Sequence, residues 1–174
     1  MCRRERSGQA LVEWAVVLPA VLLLTLGIIQ FSLVIVAKTV VNHAAYAATR
    51  AQLVGEDPLL AARIVCSPVS GTHSTNPGQP IAVPGWGDLP RSEHSAPKTS
   101  FRVLSDKDSS VTVEVTHDLE LLLPMVDLFF KSKAPQGSSV FVSGKDAGGI
   151  SYMRLAEKCT LPRLWTKDGD LGLP

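Results

Sequence analysis

One stretch limits what this chain can fold into. Residues 8–37 read GQALVEWAVVLPAVLLLTLGIIQFSLVIVA, apolar almost throughout, with a single acid, Glu13, near the start. A helix needs roughly 20 apolar residues to cross hydrocarbon about 30 Å thick. Trp14 to Ala37 supplies that length, with Thr25, Gln30 and Ser32 its only polar side chains. The helix of a soluble core carries a polar stripe every three or four residues, and this run has none. The spacing predicts a membrane-spanning helix over 9–37.

Charge predicts the orientation. Arg3, Arg4 and Arg6 precede the run, whereas Lys38 is the only basic residue close behind it. Cationic flanks stay in the cytoplasm, so the N-terminus is expected inside and the rest of the chain exported. An ordinary cleavable signal has an apolar core of about 7–15 residues before a small-x-small site. Ala45-Tyr46-Ala47 has that form but lies far beyond the run, and the run is too long. A lipoprotein is excluded because Cys2 precedes the apolar segment.

Glu13 is the anomaly. An acid in a spanning helix costs on the order of 2.5–3.5 kcal/mol at mid-bilayer, and less near the interface. Gly8, four residues, then Glu13 followed by the aromatic Trp14 resembles the type IV prepilin processing site. The run GQALVEWAVVLP further resembles the start of TadE-like proteins of the tight-adherence (Flp) pilus system, which more usually carry Phe or Tyr where this chain has Trp14. The resemblance implies a basic leader at 1–8, cut by a prepilin peptidase after Gly8 to leave Gln9 as the first mature residue. It also implies that Glu13 and Trp14 serve assembly, with the carboxylate meeting the Gln9 amine of a neighbouring subunit. The simpler alternative is that Glu13 reaches back to the cytoplasmic headgroups.

At helical spacing from Glu13, one face carries Val16, Val17, Ala20, Leu23, Leu24, Gly27, Phe31 and Val34. Ala20 and Gly27 would let a second helix approach closely, although small residues also occur by chance on lipid-facing stripes. Pro19 sits inside the span, where neighbouring helices can compensate for its missing hydrogen bond.

With 174 residues, the chain has enough left beyond the span for one small domain. A net charge of +1 argues against nucleic acid as a partner. Cys2 would leave with the leader, so Cys66 and Cys159 remain as an even pair in an oxidising compartment. A disulfide between them is the expectation, with two buried thiols as the alternative.

Past Ala37, residues 38–54 read KTVVNHAAYAATRAQLV, rich in alanine and free of Gly and Pro. Val41, Ala44, Ala45, Ala48, Ala51 and Leu53 fall on one side, predicting that the helix leaves the membrane as a stalk over 38–66. Gly55 is a helix stop, and Asp57-Pro58 opens a short second helix over Leu59 to Val65. Residues 67–100 hold many Pro and Gly and read as one long loop without regular elements. His73 and His94 lie there, too far apart for a metal pair.

A β-rich domain is expected over 101–160 and a tail over 161–174. Phe101–Leu104 and Val111–Thr116 alternate in the strand period around the turn residues Asp106-Lys107-Asp108-Ser109, with Val111, Val113 and Val115 facing inward. Leu119 to Phe130, split by Pro124, reads as core or as an exposed patch. Val140–Ser143 and Ile150–Leu155 are the remaining strands. This order resembles, more loosely, the C-terminal pattern of TadE-like proteins. The fold class is α+β: a long N-terminal transmembrane helix followed by a small antiparallel β-rich exported domain.

No HExxH, Gly-x-Ser-x-Gly elbow or phosphate-binding glycine loop is present, and Ser151 and His117 have nothing marking them as nucleophile and base. The expected protein is therefore a structural subunit without cofactor or metal. Its expected partners are the prepilin peptidase, other pilins or pseudopilins, the pilus machinery and lipid. The competing class is a signal-anchored enzyme or binding domain that stays unprocessed in the membrane.

Overall fold

A computed structural model describes residues 6–74, 76–121, 140–145 and 151–163. Helix α1 runs unbroken from Arg6 to Val54, through Pro19. It ends in a Schellman turn: Gly55 takes φ +84°, and the Glu56 amide donates to the Ala51 carbonyl at 2.9 Å. Asp57 then caps α2 (Pro58–Cys66), its Oδ1 accepting from the amides of Leu59 and Leu60 at 2.9 and 3.3 Å. With only Gly55, Glu56 and Asp57 between them, α2 folds back along α1.

Four antiparallel strands form the main sheet in the order β3-β4-β6-β5, where β3 is Thr99–Lys107, β4 Ser110–Glu120, β5 Val140–Lys145 and β6 Ser151–Pro162. The β3–β4 hairpin closes at Lys107 opposite Ser110, and β6 pairs with β4 from Ser110↔Pro162 to Glu120↔Tyr152. Burial along β4 alternates residue by residue, as a sheet covered on one face requires. The odd positions Val111, Val113, Val115, His117 and Leu119 face the helices. On the other face the pairs are polar: Thr112 with Thr160, Glu114 with Lys158, and Asp118 with Arg154 through two hydrogen bonds of 2.7 and 3.0 Å.

The covering helix is α1 itself. Gln30, Val34, Ala37, Val41, Ala44, Ala45, Ala48 and Thr49 form its buried stripe. This corrects the expected stalk: the C-terminal half of α1 does not stand free but is the core helix of the domain. Its alanines, read as helix formers, are also small enough to bring the helix close to the sheet. Two contacts fix the sense of packing. Lys38 Nζ lies 3.6 Å from Glu157 Oε1, and Thr49 Oγ1 lies 3.5 Å from the Cys159 carbonyl. β6 therefore runs in the same sense as α1, and its first residues point back towards the apolar N-terminal half.

Residues 67–100 are also corrected. They hold a 3₁₀ turn at Ser67–Val69, a two-residue hairpin of β1 (Ala82–Val83) and β2 (Gly87–Asp88), and α3 (Ser92–Lys98), with Pro97 inside. Hydroxyls close these elements where periodicity gave no signal. Ser92 Oγ donates to the Leu89 carbonyl at 2.7 Å and accepts from the Ile81 amide at 2.8 Å, while Ser95 Oγ donates to the Ser92 carbonyl. Loop composition was the wrong guide here, because tertiary hydrogen bonds replace the missing apolar pattern.

The last strand also passes the expected boundary at 160. Arg163, just after it, pairs with Asp106 at 2.8 Å. The segment 122–130 of the apolar run, and the tail from Leu164, lie outside the described residues.

Candidate functional site

Two parts of α1 behave differently. From Gln30 onward one face is buried by the domain, whereas from Ala10 to Ile29 every residue but the half-buried Gly27 is exposed. The bare part, counted from Gly8, is about 33 Å long at 1.5 Å per residue, which matches the hydrocarbon of a bilayer. Its mean hydropathy reaches 2.6 in the most apolar window. Two hydroxyls in this part of the helix are satisfied locally. Thr25 Oγ1 donates to the Val21 carbonyl at 2.8 Å and Ser32 Oγ to the Ile28 carbonyl at 2.9 Å, hiding both hydroxyls on the helix. Gln30 turns into the domain. One helix of the described residues is thus long and apolar enough to cross a membrane.

The four N-terminal site residues lie at the far end of this bare helix. The Gly8–Gln9 bond lies in the first described turn of α1. Gly8 has no atom within 4 Å of where a Cβ would stand. Glu13 is exposed and has no ion-pair partner among the described residues, and Trp14 beside it is exposed. At 100° per residue, Glu13 points roughly 90° round the helix from the centre of the sheet-packing stripe. Of the face read from Glu13, Val34 is taken by the sheet, while Val16, Val17, Leu23, Leu24 and Phe31 stay exposed.

The cysteines are not bridged. Cys66 is buried, Cys159 half-buried, and both are free thiols. The reason is register. Cys66 hydrogen-bonds Thr99, which sits opposite His117 on β4, whereas Cys159 sits opposite Val113. Four residues of strand separate those levels, about 13 Å at 3.3 Å per residue. A disulfide needs Cα atoms within about 7 Å. Burial pushes the Cys66 thiol up to about 12, partly countered by the Thr99 hydroxyl.

One polar cluster had no signal in the sequence. Lys98, at the end of α3, pairs with the Glu120 carboxylate at the end of β4 and donates to the Ser70 carbonyl at 2.6 Å. Glu120 also accepts from the His73 amide at 3.0 Å. Gly71 passes so close, with φ +70°, that a Cβ there would overlap the carboxylate. Next to it His117 is buried, with Nδ1 2.9 Å from Thr99 Oγ1. His73 thus belongs to a clip that ties the 70–73 turn to the sheet, and its partner residues come from three separate elements. No group of three or more His, Cys, Asp or Glu suited to a metal occurs among the described residues.

A family model described as TadE-like protein matches residues 8–50. That stretch, about a quarter of the chain, holds Gly8, Gln9, Glu13, Trp14, the bare span and nearly all of the sheet-packing stripe. No curated protein matches the chain, and no solved structure does. Over the segment that carries both its apolar span and its core helix, the chain is similar to TadE-like proteins.

Proposed function

We propose that the protein is a structural or assembly subunit, a minor pilin or pseudopilin, of a tight-adherence pilus system. A prepilin peptidase cuts after Gly8, and Gln9 becomes the mature N-terminus. The span holds the chain in the cytoplasmic membrane with its basic leader inside and its domain exported. Other pilins or pseudopilins then pack against the bare helix. One observation supports this reading: an apolar helix long enough for the bilayer keeps an acid, Glu13, exposed and without an ion-pair partner among the described residues. A lone carboxylate in low dielectric is costly, and pairing with a neighbour's Gln9 amine offsets that cost and fixes the axial offset between subunits. The role is mechanical rather than catalytic.

N-terminal sequencing of the protein isolated from cells tests the proposal. Gln9 is the expected first residue, and Gly8→Ala should accumulate a slower-migrating precursor. Glu13→Ala should insert normally yet fail to support pili. A protein that still begins at Met1 while pili form would overturn the processing step, and normal piliation by Glu13→Ala would overturn the charge pairing.

A further inference from the structure

We propose that the hairpin at residues 81–90 is a foot that rests on the bilayer crossed by α1, with Trp86 seated among the lipid headgroups on the domain's side. This inference rests on reading α1 as a membrane span.

The hairpin is built to display an aromatic ring. Its sequence, IAVPGWGDLP, carries one charge, Asp88. The Trp86 amide donates to the Val83 carbonyl at 3.0 Å across Pro84 and Gly85, the latter at φ +82°. Proline second and a positive-φ glycine third make a type II turn, which fixes the tip without help from packing. Gly87, at φ +81°, turns the chain back, and the Leu89 amide closes the base on the Ile81 carbonyl at 2.8 Å. Trp86 is left 91% exposed, the most exposed large apolar side chain described. A domain in water gains nothing from a rigidly presented, fully hydrated indole. At a membrane surface the same ring finds apolar contact on its face and a headgroup acceptor for its N–H.

The fold brings the hairpin's base to the membrane end of the domain. Since Glu157 stands beside Lys38 and β6 runs with α1, Tyr152 lies about 17 Å back along the strand, roughly level with the end of the bare span. Glu120 is opposite Tyr152, so the Lys98–Glu120 clip sits at that same level. From the clip, α3 leads back about 10 Å to the hairpin base. There Ser67 Oγ donates to the Pro90 carbonyl at 2.6 Å and Arg91 reaches the Pro68 carbonyl, at the membrane-facing end of α2. The tip stands about four residues, or ~13 Å, from that base, a reach long enough to carry Trp86 to the headgroups. No free stalk lifts the domain away, because burial of α1 begins at Gln30, where the bare span ends.

Tryptophan fluorescence of the full chain in phosphatidylethanolamine/phosphatidylglycerol vesicles tests this. One version keeps only Trp86 (W14F, W165F) and a control keeps only Trp14 (W86F, W165F). Lipids brominated near the acyl carbonyl should quench Trp86 at least two-fold, with blue-shifted emission and little quenching by iodide. If Trp14 is quenched while Trp86 stays red-shifted and open to iodide, the foot is overturned and the span stands. If Trp86 becomes shielded only as protein per lipid rises, without bromine quenching, the tip docks on a second copy and the inference also falls. If neither ring meets bromine, the membrane reading of α1 fails and takes the inference with it.

Discussion

Lys98 and Glu120 form an ion pair whose side chains are only 11% and 13% exposed, joining the last residue of α3 to the last residue of β4. Removing one partner of such a pair leaves the other charge buried without compensation, a loss of about 3–5 kcal/mol, whereas replacing both by apolar groups is often neutral. Glu120→Gln should therefore lower the unfolding free energy read from urea titration of the full chain in detergent by about that much. The double variant Lys98→Met, Glu120→Leu should recover most of it.

His117 gives stability a pH dependence. Burial holds its pKa down at about 4 against 6.5 in the unfolded chain. Asp118, the Val69 carbonyl and Glu120 pull it upward, while Lys98 pushes it further down. Below 6.5 the unfolded chain takes up a proton that the folded one refuses. Stability from this group is thus complete above pH 6.5 and is lost as pH falls towards 4, by on the order of 3 kcal/mol. Below 4 both states are protonated and the loss stops growing. Urea titrations at pH 4 to 7 should show this slope in the native chain, and it should be much flatter in His117→Gln.

Cys66 and Cys159 should differ sharply in reactivity. Cys159 is half-buried on β6, while Cys66 is buried at the end of α2 with its thiol raised to about 12. Only the thiolate attacks, so at pH 8 an aromatic disulfide reagent should modify Cys159 first and reach Cys66 only on unfolding. Mass spectrometry of the native chain should find a single adduct on this pair, and Cys159→Ser should abolish it.

Much of this fold is written in local pattern. Gly55, Asp57 and Pro58 mark the turn between the helices because capping is a contact between near neighbours in sequence. The alternation of Val111, Val113 and Val115 places the inner face of β4 in the same way. Residues 38–54 were legible as a helix but not as a core helix, since what an apolar stripe packs against depends on residues a hundred positions away, such as Glu157 and Cys159. α3 was not legible at all. Its sequence, SEHSAPK, has no apolar period, and its bonds run to Leu89 and Ile81 through hydroxyls. Lys98, Glu120 and Ser70 meet only once three elements have folded, so no motif announces the clip. At the N-terminus the reverse holds: Gly8, Glu13 and Trp14 stand out in the sequence because nothing among the described residues accounts for them.

Because α1 passes from Arg6 to Val54 at the top of the sheet as a single rod, handle and blade are one object. A torque or pull delivered near Glu13 is not absorbed at a hinge. It turns the whole sheet by the same angle and lifts it by the same distance, so whatever grips the greasy end also steers the domain.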